Sequence, residues 1–443
     1  MEEIKLETLN KHNNEYGKDD KNKILRHALV KNSISSIAAS LDEIKDYDFN
    51  FSIDIKTMPA TNQKQSGRCW IFAATNVLRE KIAKKCKMDN FELSQSYIAF
   101  YDRLEKSNYL LEAVIELIDA DYDDRTLSYL LANGIGDGGQ WDMFTNVIKK
   151  YGVVPKNVYP ETATSSGTRE TNSLINFNIR KFASESKEIY KVEGLEGVRK
   201  AKEELLKKIY FLLIDTYGVP PSTFNFEYVD GDNVYHLLEG YTPLTFLEEY
   251  VSSSWLDEFV SCIHSPTKTK QFNKTYTIKY LGNVVKGKDV THLNMDMNRM
   301  KELIISQLKE GQIVWFGSDV SFYRDASGAW DDTKFDYLTP FGLDYKMDKG
   351  ESLDFKASRM SHAMCITGVN LDKSGRPTKW KIENSWGDDS GKKGYYIMSD
   401  SYFEKYVYQA VINKKYLSKE ELSALKESPI ILKPWDPMGS LAD

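Results

Sequence analysis

The chain is poor in the features that build small secreted scaffolds. Its 443 residues hold only four cysteines, Cys69, Cys86, Cys262 and Cys365. None forms a CxxC pair, and so few thiols in so long a chain exclude a disulfide framework. Proline is scarce, at 12 residues, which speaks against long stiff linkers. No apolar run is long enough to cross a bilayer. The opening "MEEIKLETLNKHNNEYGKDD" is polar and acidic, without the apolar stretch of a secretory signal. A positive balance is missing too: the formal net charge is −6, so there is no global pull toward nucleic acid or anionic membranes. These absences together predict a soluble protein of the reducing cytoplasm with free thiols.

What is present is a packed globular composition, 41% hydrophobic and 28% charged, with 27 tyrosines. The length suits two or three domains, or one core carrying large insertions. Apolar spacing predicts helix over 20–46, from Trp70 through "WIFAATNVLREKIAKKC", and across "SQSYIAFYDRLEKSNYLLEAVIELID" and "QWDMFTNVIKKYG". Residues 195–260 also read as largely helical. "FSIDIKTM" alternates like a strand. From about 290 one helix, "MDMNRMKELIISQLKEG", is followed by β-like pieces: "QIVWFGSDV", "HAMCITGVNL", "PTKWKIENSW", "GYYIMSD" and "QAVINKKYL". A helix-rich first half and a β-rich last part predict an α+β fold with a helical insertion between.

Within "NQKQSGRCWIFAATNVLREK" one cysteine stands where a loop turns into a helix. A helix start favours a thiolate, because its unpaired N–H groups and dipole attract negative charge. Such a thiol needs a base, and there are six histidines. His12, His27, His236, His264 and His292 lie in contexts with no other chemical motif. His362 opens the strand-like "SHAMCITGVNL", and the next strand ends in "KIENSWGDDSGKKGYY". Asn384 there can fix the imidazole tautomer by one hydrogen bond, and Trp386 can shield that bond from water. A Cys–His pair oriented by a third group is the general form of an activated thiol nucleophile.

Taken in order, "NQKQSGRCWIFAATNVLRE", "ELSQSYIAFYDRLEKSNY", "DGGQWDMFTNVIKKYGVVPK", "SHAMCITGVN", "KIENSWGDDSGKKGYYIMSDSYFEKYVYQAVINKKYL" and "KPWDPMGSLAD" span nearly the whole chain. They resemble the papain-like cysteine peptidases, in the bleomycin hydrolase or aminopeptidase C branch. The resemblance implies a papain-like core with a helical left part, a β-barrel-like right part, a helical insertion and a C-terminal arm. The expected division is a helical segment 1–50, a helical half 51–165 with the cysteine, an insertion 166–290, a β-rich half 291–432, and an arm 433–443. It implies Cys69 as nucleophile, His362 as base and acid, and Asn384 as the group that orients the imidazole. Gln63, six residues before Cys69, takes the place of the oxyanion glutamine. By analogy with papain the paired thiol would titrate at roughly 3–4.

Gly138 and Gly139 match a backbone rail that hydrogen-bonds extended substrate, where a missing side chain lets peptide approach peptide. The arm is expected to lie in the cleft and to hold the substrate's amine with its terminal carboxylate, which makes Asp443, or Ala442 after loss of the final residue, a ruler for an aminopeptidase. Trp386 completes the expected substrate contacts. Peptide substrates, a homohexameric ring and no cofactor or metal complete the implications.

Two departures from simple papains stand out. "SGRCW" lacks an earlier cysteine and has Arg68 in a small-residue place, and His362 follows Cys69 by 293 residues, about twice the usual ~130–150. Both fit the bleomycin hydrolase branch.

Other signals carry less. "GIGDGG" fits GxGxxG but follows a helical "RTLSYLLAN", so a glycine-rich turn is favoured over a dinucleotide site. His362 and Cys365, at odd spacing on one strand, face opposite ways and make a poor metal pair. "DADYDDR" and "KIAKKCK" read as solvated helix ends and faces. Some members of the branch bind nucleic acid, but the acidic balance here argues against it. The alternatives are a cysteine endopeptidase using the same site, and a non-catalytic ring that binds nucleic acid or peptides.

Overall fold

A computed structural model describes residues 1–40, 48–324 and 328–442. The helix Cys69–Cys86 runs through the middle of the molecule and is buried along most of its length. Trp70, Ile71, Phe72, Ala74 and Leu78 are at most 1% exposed, on every side of the helix, which is why this segment is apolar all round and not in a stripe. Gln95–Glu116, started by Ser94 accepting from the Tyr97 N–H, packs against it, and Arg125–Asn133, started by Asp124 accepting from the Leu127 N–H, follows in the chain. Trp141–Tyr151 completes this helical layer. Such side-chain caps satisfy N–H groups that the helix itself cannot pair.

Among the described residues the main sheet has 11 strands. Its pairing path runs Ile430–Leu432, Lys274–Ile278, Thr291–Asn294, Phe259–Ile263, Val407–Asn413, Val314–Ser318, His362–Leu371, Pro377–Glu383, Tyr395–Ser399 and Ala329–Trp330. Ile53–Asp54 pairs with His362–Leu371 from the side. Most pairings are antiparallel, while Ile430–Leu432 with Lys274–Ile278, Phe259–Ile263 with Thr291–Asn294, and Tyr395–Ser399 with Ala329–Trp330 are parallel. The Cys69–Cys86 helix lies on this sheet: the Cys365 thiol donates to the Ala73 carbonyl at 3.2 Å and the Trp315 indole to the Trp70 carbonyl at 3.1 Å. Trp70, Trp141 and Trp315 are all but sealed between the layers. Each removes roughly 200 Å² from water, about 5 kcal/mol of favourable transfer.

The α+β class and every strand expected after residue 290 are found. The stretch 195–260 differs from its helical reading. The helix Arg169–Tyr217, bent at Gly194 with φ 67°, stops at Gly218. A hairpin of Phe224–Val229 and Tyr235–Tyr241 follows. Phe224 and Phe226 point inward while Asn225 and Glu227 point out, a period of two easily lost between strong helix formers. The strands Phe259–Ile263 and Lys274–Ile278 join the main sheet, so the β-rich part draws on residues before 290. In the stretch 20–46, Asp20–Leu29 and Ile34–Ala38 are helical; residues 41–47 lie outside the described residues.

Candidate active site

Cys69 is the first residue of its helix, and Arg68 before it leaves the helical conformation at φ −84°, ψ 19°. The loop then runs back to Gln63. Across from the thiol lies the start of the strand His362–Leu371, where the Ala363 N–H points at Cys69 Sγ at 3.4 Å. The folded chain thus brings together residues separated by most of the sequence.

His362 Nε2 and Asn384 Oδ1 are 2.8 Å apart. The Ser385 backbone N–H also donates to Asn384 Oδ1 at 2.8 Å. Because a backbone N–H can only donate, the amide oxygen must face both groups, and His362 carries its proton on Nε2. Its Nδ1 lone pair is then free to take a proton. Asn384 Nδ2 is buried without a hydrogen-bond partner among the described residues, so the oxygen's two donors alone set the side chain. Trp386 stacks on the imidazole at 4.9 Å between centroids, and the Arg324 guanidinium lies 5.0 Å from the Trp386 ring centre.

Gln63 is clamped at both ends. Its Nε2 donates to the Ser66 carbonyl at 2.6 Å, and its Oε1 accepts from Ser385 Oγ at 2.6 Å. Its backbone N–H binds the Ser385 carbonyl at 2.8 Å. One hydrogen of the amide remains without a hydrogen bond among the described residues, in the loop that leads into the Cys69 helix.

Burial sets the charge state. It pushes the Cys69 thiol up to about 11, against the backbone N–H groups of Ala363 and Trp70, which favour the thiolate; the Asp137 carboxylate adds to the rise. Burial likewise lowers His362 to about 4, although the Asn384 bond favours the imidazolium; Arg324 lowers it further. Burial thus disfavours the charged form of each group, against the low thiol pKa expected from papain. The reason is that the site is covered.

Met438 and Leu441 of the C-terminal arm belong to the same buried cluster as Cys69. The Gly139 N–H donates to the Leu441 carbonyl at 3.1 Å, and Ser440 Oγ to the Met360 carbonyl at 3.0 Å. Leu441 and Met438 are buried. Further back, Asp436 pairs with Lys270 at 3.1 Å, and Arg125 lies over Trp435 at 4.0 Å. Gly138 holds its carbonyl 2.5 Å from Lys106 Nζ, which also binds Asp102. A side chain at Gly139 would start within 2.4 Å of the Trp70 ring. The structure therefore gathers Gln63, Cys69, Gly138, Gly139, His362, Asn384 and Trp386. Asp443 lies outside the described residues. Among the described residues no group of His, Cys, Asp and Glu is placed to hold a metal, and no helix is long and apolar enough to cross a membrane.

Residue-level reading missed several supports. Asp137 accepts from the Gly67 N–H at 2.8 Å, from Asn172 at 2.7 Å, and from Arg103 and Thr168. Burial would raise this carboxyl, but Arg103 and those donors draw it down to about 2. Glu383, next to Asn384, is sealed against Arg79 at 2.7 Å and Asn76 at 2.8 Å, both on the Cys69 helix. A charged residue inside an apolar run, as in "NVLRE" and "WKIEN", was the available signal, because a buried charge needs a partner.

A thiol at the start of a buried helix, set against a sheet bearing an asparagine-bound imidazole, defines the class: a papain-like α+β fold. The chain belongs to the Peptidase C1-like family, whose model matches residues 3–439. It is 46% identical to Aminopeptidase C of Lactobacillus delbrueckii subsp. lactis over 447 aligned residues, 99% of either chain. It is 38% identical to the bleomycin hydrolase of Homo sapiens over 403 residues, 89% of either chain. The crystal structure of PepW from Lactobacillus rhamnosis HN001 superposes with a TM-score of 0.95 at 43% identity, covering 99% of both chains.

Proposed function

We propose that this chain is a cysteine aminopeptidase that removes N-terminal residues from peptides through Cys69, His362, Asn384 and Gln63. The observation that carries the reading is the Gly139–Leu441 hydrogen bond. The glycine suited to bind extended peptide already holds the chain's own arm. Substrate residues on the amino side of the scissile bond have that path blocked, which favours cleavage after a first residue and disfavours internal cleavage. The names of the similar proteins, Aminopeptidase C and bleomycin hydrolase, support peptide and amide hydrolysis.

In this mechanism Cys69 Sγ attacks the first peptide carbonyl as its proton passes to His362 Nδ1. The imidazolium is held by Asn384 Oδ1 and returns the proton to the leaving amine; water then hydrolyses the thioester. The remaining Gln63 amide hydrogen and the Cys69 N–H meet the oxyanion. One such donor is worth roughly 10²–10³ in rate.

The proposed assembly is a homohexamer. Leu6–Tyr16 and Asp20–Leu29 bury none of their residues and leave Leu6, Leu9 and Ile24 exposed, a face that a second copy can cover. The proposed setting is the cytoplasm, where the four buried cysteines, all free, stay reduced.

A free-amine aminoacyl fluorogenic substrate beside its N-acetylated twin, with wild type and Cys69→Ala, tests the function. Cleavage of the free-amine form alone, lost in Cys69→Ala, is expected. Equal cleavage of both makes the protein an endopeptidase, and full activity in Cys69→Ala removes the thiol mechanism.

A further inference from the structure

Arg68 directly precedes the candidate nucleophile, and it is 1% exposed. A guanidinium so deep needs partners for its charge and its N–H groups. Nη1 and Nη2 bind the two oxygens of Glu161 at 3.1 and 3.0 Å, a two-pronged pairing. Nε donates to Ser66 Oγ at 2.9 Å. Since Ser66 Oγ accepts from Arg68, its own hydrogen is free to go onward, and it goes to the Gln63 carbonyl at 2.6 Å. The Ser66 carbonyl in turn accepts from Gln63 Nε2 at 2.6 Å. The direction of every bond is fixed from Glu161 through Arg68 and Ser66 to Gln63.

The far end is anchored as well. Glu161 also accepts from Ser165 Oγ, which is fully buried. The segment that follows receives the Gln65 N–H on the Ser166 carbonyl at 3.0 Å. The loop 63–68 therefore rests on residues 161–166 through one ion pair and one backbone bond. The Arg68 guanidinium also covers the Phe72 ring at 5.2 Å, one turn into the nucleophile's helix. Arg68 touches both the loop and the helix whose relative placement sets the gap between Gln63 and Cys69.

We propose that the Arg68–Glu161 pair is a positioning device for the oxyanion hole, acting through Ser66 to hold the Gln63 amide hydrogen toward the reacting carbonyl. The proposal rests on the reading of Cys69 as nucleophile and Gln63 as oxyanion donor. Its signature is selective. A displaced Gln63 weakens stabilisation of the tetrahedral oxyanion, which forms in peptide hydrolysis and in adducts with aldehydes. It leaves thiol alkylation by iodoacetamide untouched, because that displacement forms no oxyanion.

The test uses the full-length chain with Ser66→Ala and Glu161→Gln. Four quantities are read on the free-amine substrate and on Cys69: kcat, KM, inhibition by an aminoacyl aldehyde, and iodoacetamide alkylation rate. The expected result is a fall of tenfold or more in kcat and in aldehyde affinity together, with KM and alkylation within twofold of wild type. Unchanged kcat and aldehyde affinity in Ser66→Ala overturn the proposal. So does a parallel fall in alkylation, which marks a general disturbance of the helix start. Ser66→Ala keeps the ion pair and so keeps the test decisive if Glu161→Gln does not fold. Wild-type activity in Cys69→Ala instead refutes the underlying mechanism, so the two failures are distinct.

Discussion

Asn384→Ala offers the sharpest check on the site. The substitution removes the acceptor 2.8 Å from His362 Nε2 while leaving the Trp386 stack that also holds the ring. In the resting state the lost bond joins two neutral groups, worth about 0.5–1.5 kcal/mol net. As the thiol proton reaches Nδ1 the donor becomes an imidazolium, and the same bond is worth about 1.5–3 kcal/mol. Both states lose the bond, so only the difference, about 1–1.5 kcal/mol, enters kcat/KM, and at about 1.4 kcal/mol per decade it predicts a loss of roughly 5–12-fold. KM should stay near wild type, since the lost bond is to the imidazole. The pH profile adds a sign. Burial holds His362 near 4, and the Asn384 bond opposes that fall. Without Asn384 the imidazolium is still less favoured, so the acid limb of kcat/KM moves to lower pH. Asn384→Asp, with a carboxylate at the same place, moves it up. Steady-state kinetics from about pH 3 to 8, with recovery of activity on return to neutral pH, read both effects. An Asn384→Ala enzyme within twofold of wild type, or an acid limb moved upward, refutes the assignment of this residue.

Two further outcomes follow from the same physics. Burial lowers His264, His292 and His362 to about 4 from an ordinary 6.5. A histidine kept neutral by the fold contributes its stability above pH 6.5 and loses it as pH falls toward 4, at most about 3 kcal/mol each. The melting temperature should drop across that window. His292→Asn, which keeps an acceptor or donor for Ser261 Oγ now 2.7 Å from Nδ1, should flatten the drop, and an unchanged slope counts against the argument. Separately, Leu6→Glu with Leu9→Glu should dissociate the proposed hexamer in sedimentation; a hexamer that survives means these helices are not its interface.

The proposed site was legible because its chemistry demands unusual residues in unusual places. Cys69 at a helix start, His362 at a strand start and Asn384 at a strand end are each odd for the local structure, and the fold joins all three. The strands after 290 were legible for a simpler reason: Gly and Asp turns separate them, and buried strands such as His362–Leu371 read as continuous apolar runs. The hairpin at 224–241 was not, since its inward face is confined to a few aromatic residues while helix formers surround it. The supports were hidden by distance: Arg68 and Glu161, or Arg79 and Glu383, are ordinary charges until the fold pairs them.

At the Cys69 thiol the helix start and burial pull in opposite directions, and burial ties the site to the arm. A helix start alone lowers a thiol's pKa, and the N–H groups of Ala363 and Trp70 do act that way on Cys69. Burial outweighs them, and the arm through Leu441 is part of what buries the cleft. The arm proposed to restrict which peptides enter is therefore also part of what disfavours the thiolate of Cys69. The proposed selectivity and a disfavoured thiolate are then two consequences of one packed segment. Loosening that segment should broaden substrate choice and raise the reactivity of Cys69 toward small alkylating agents together.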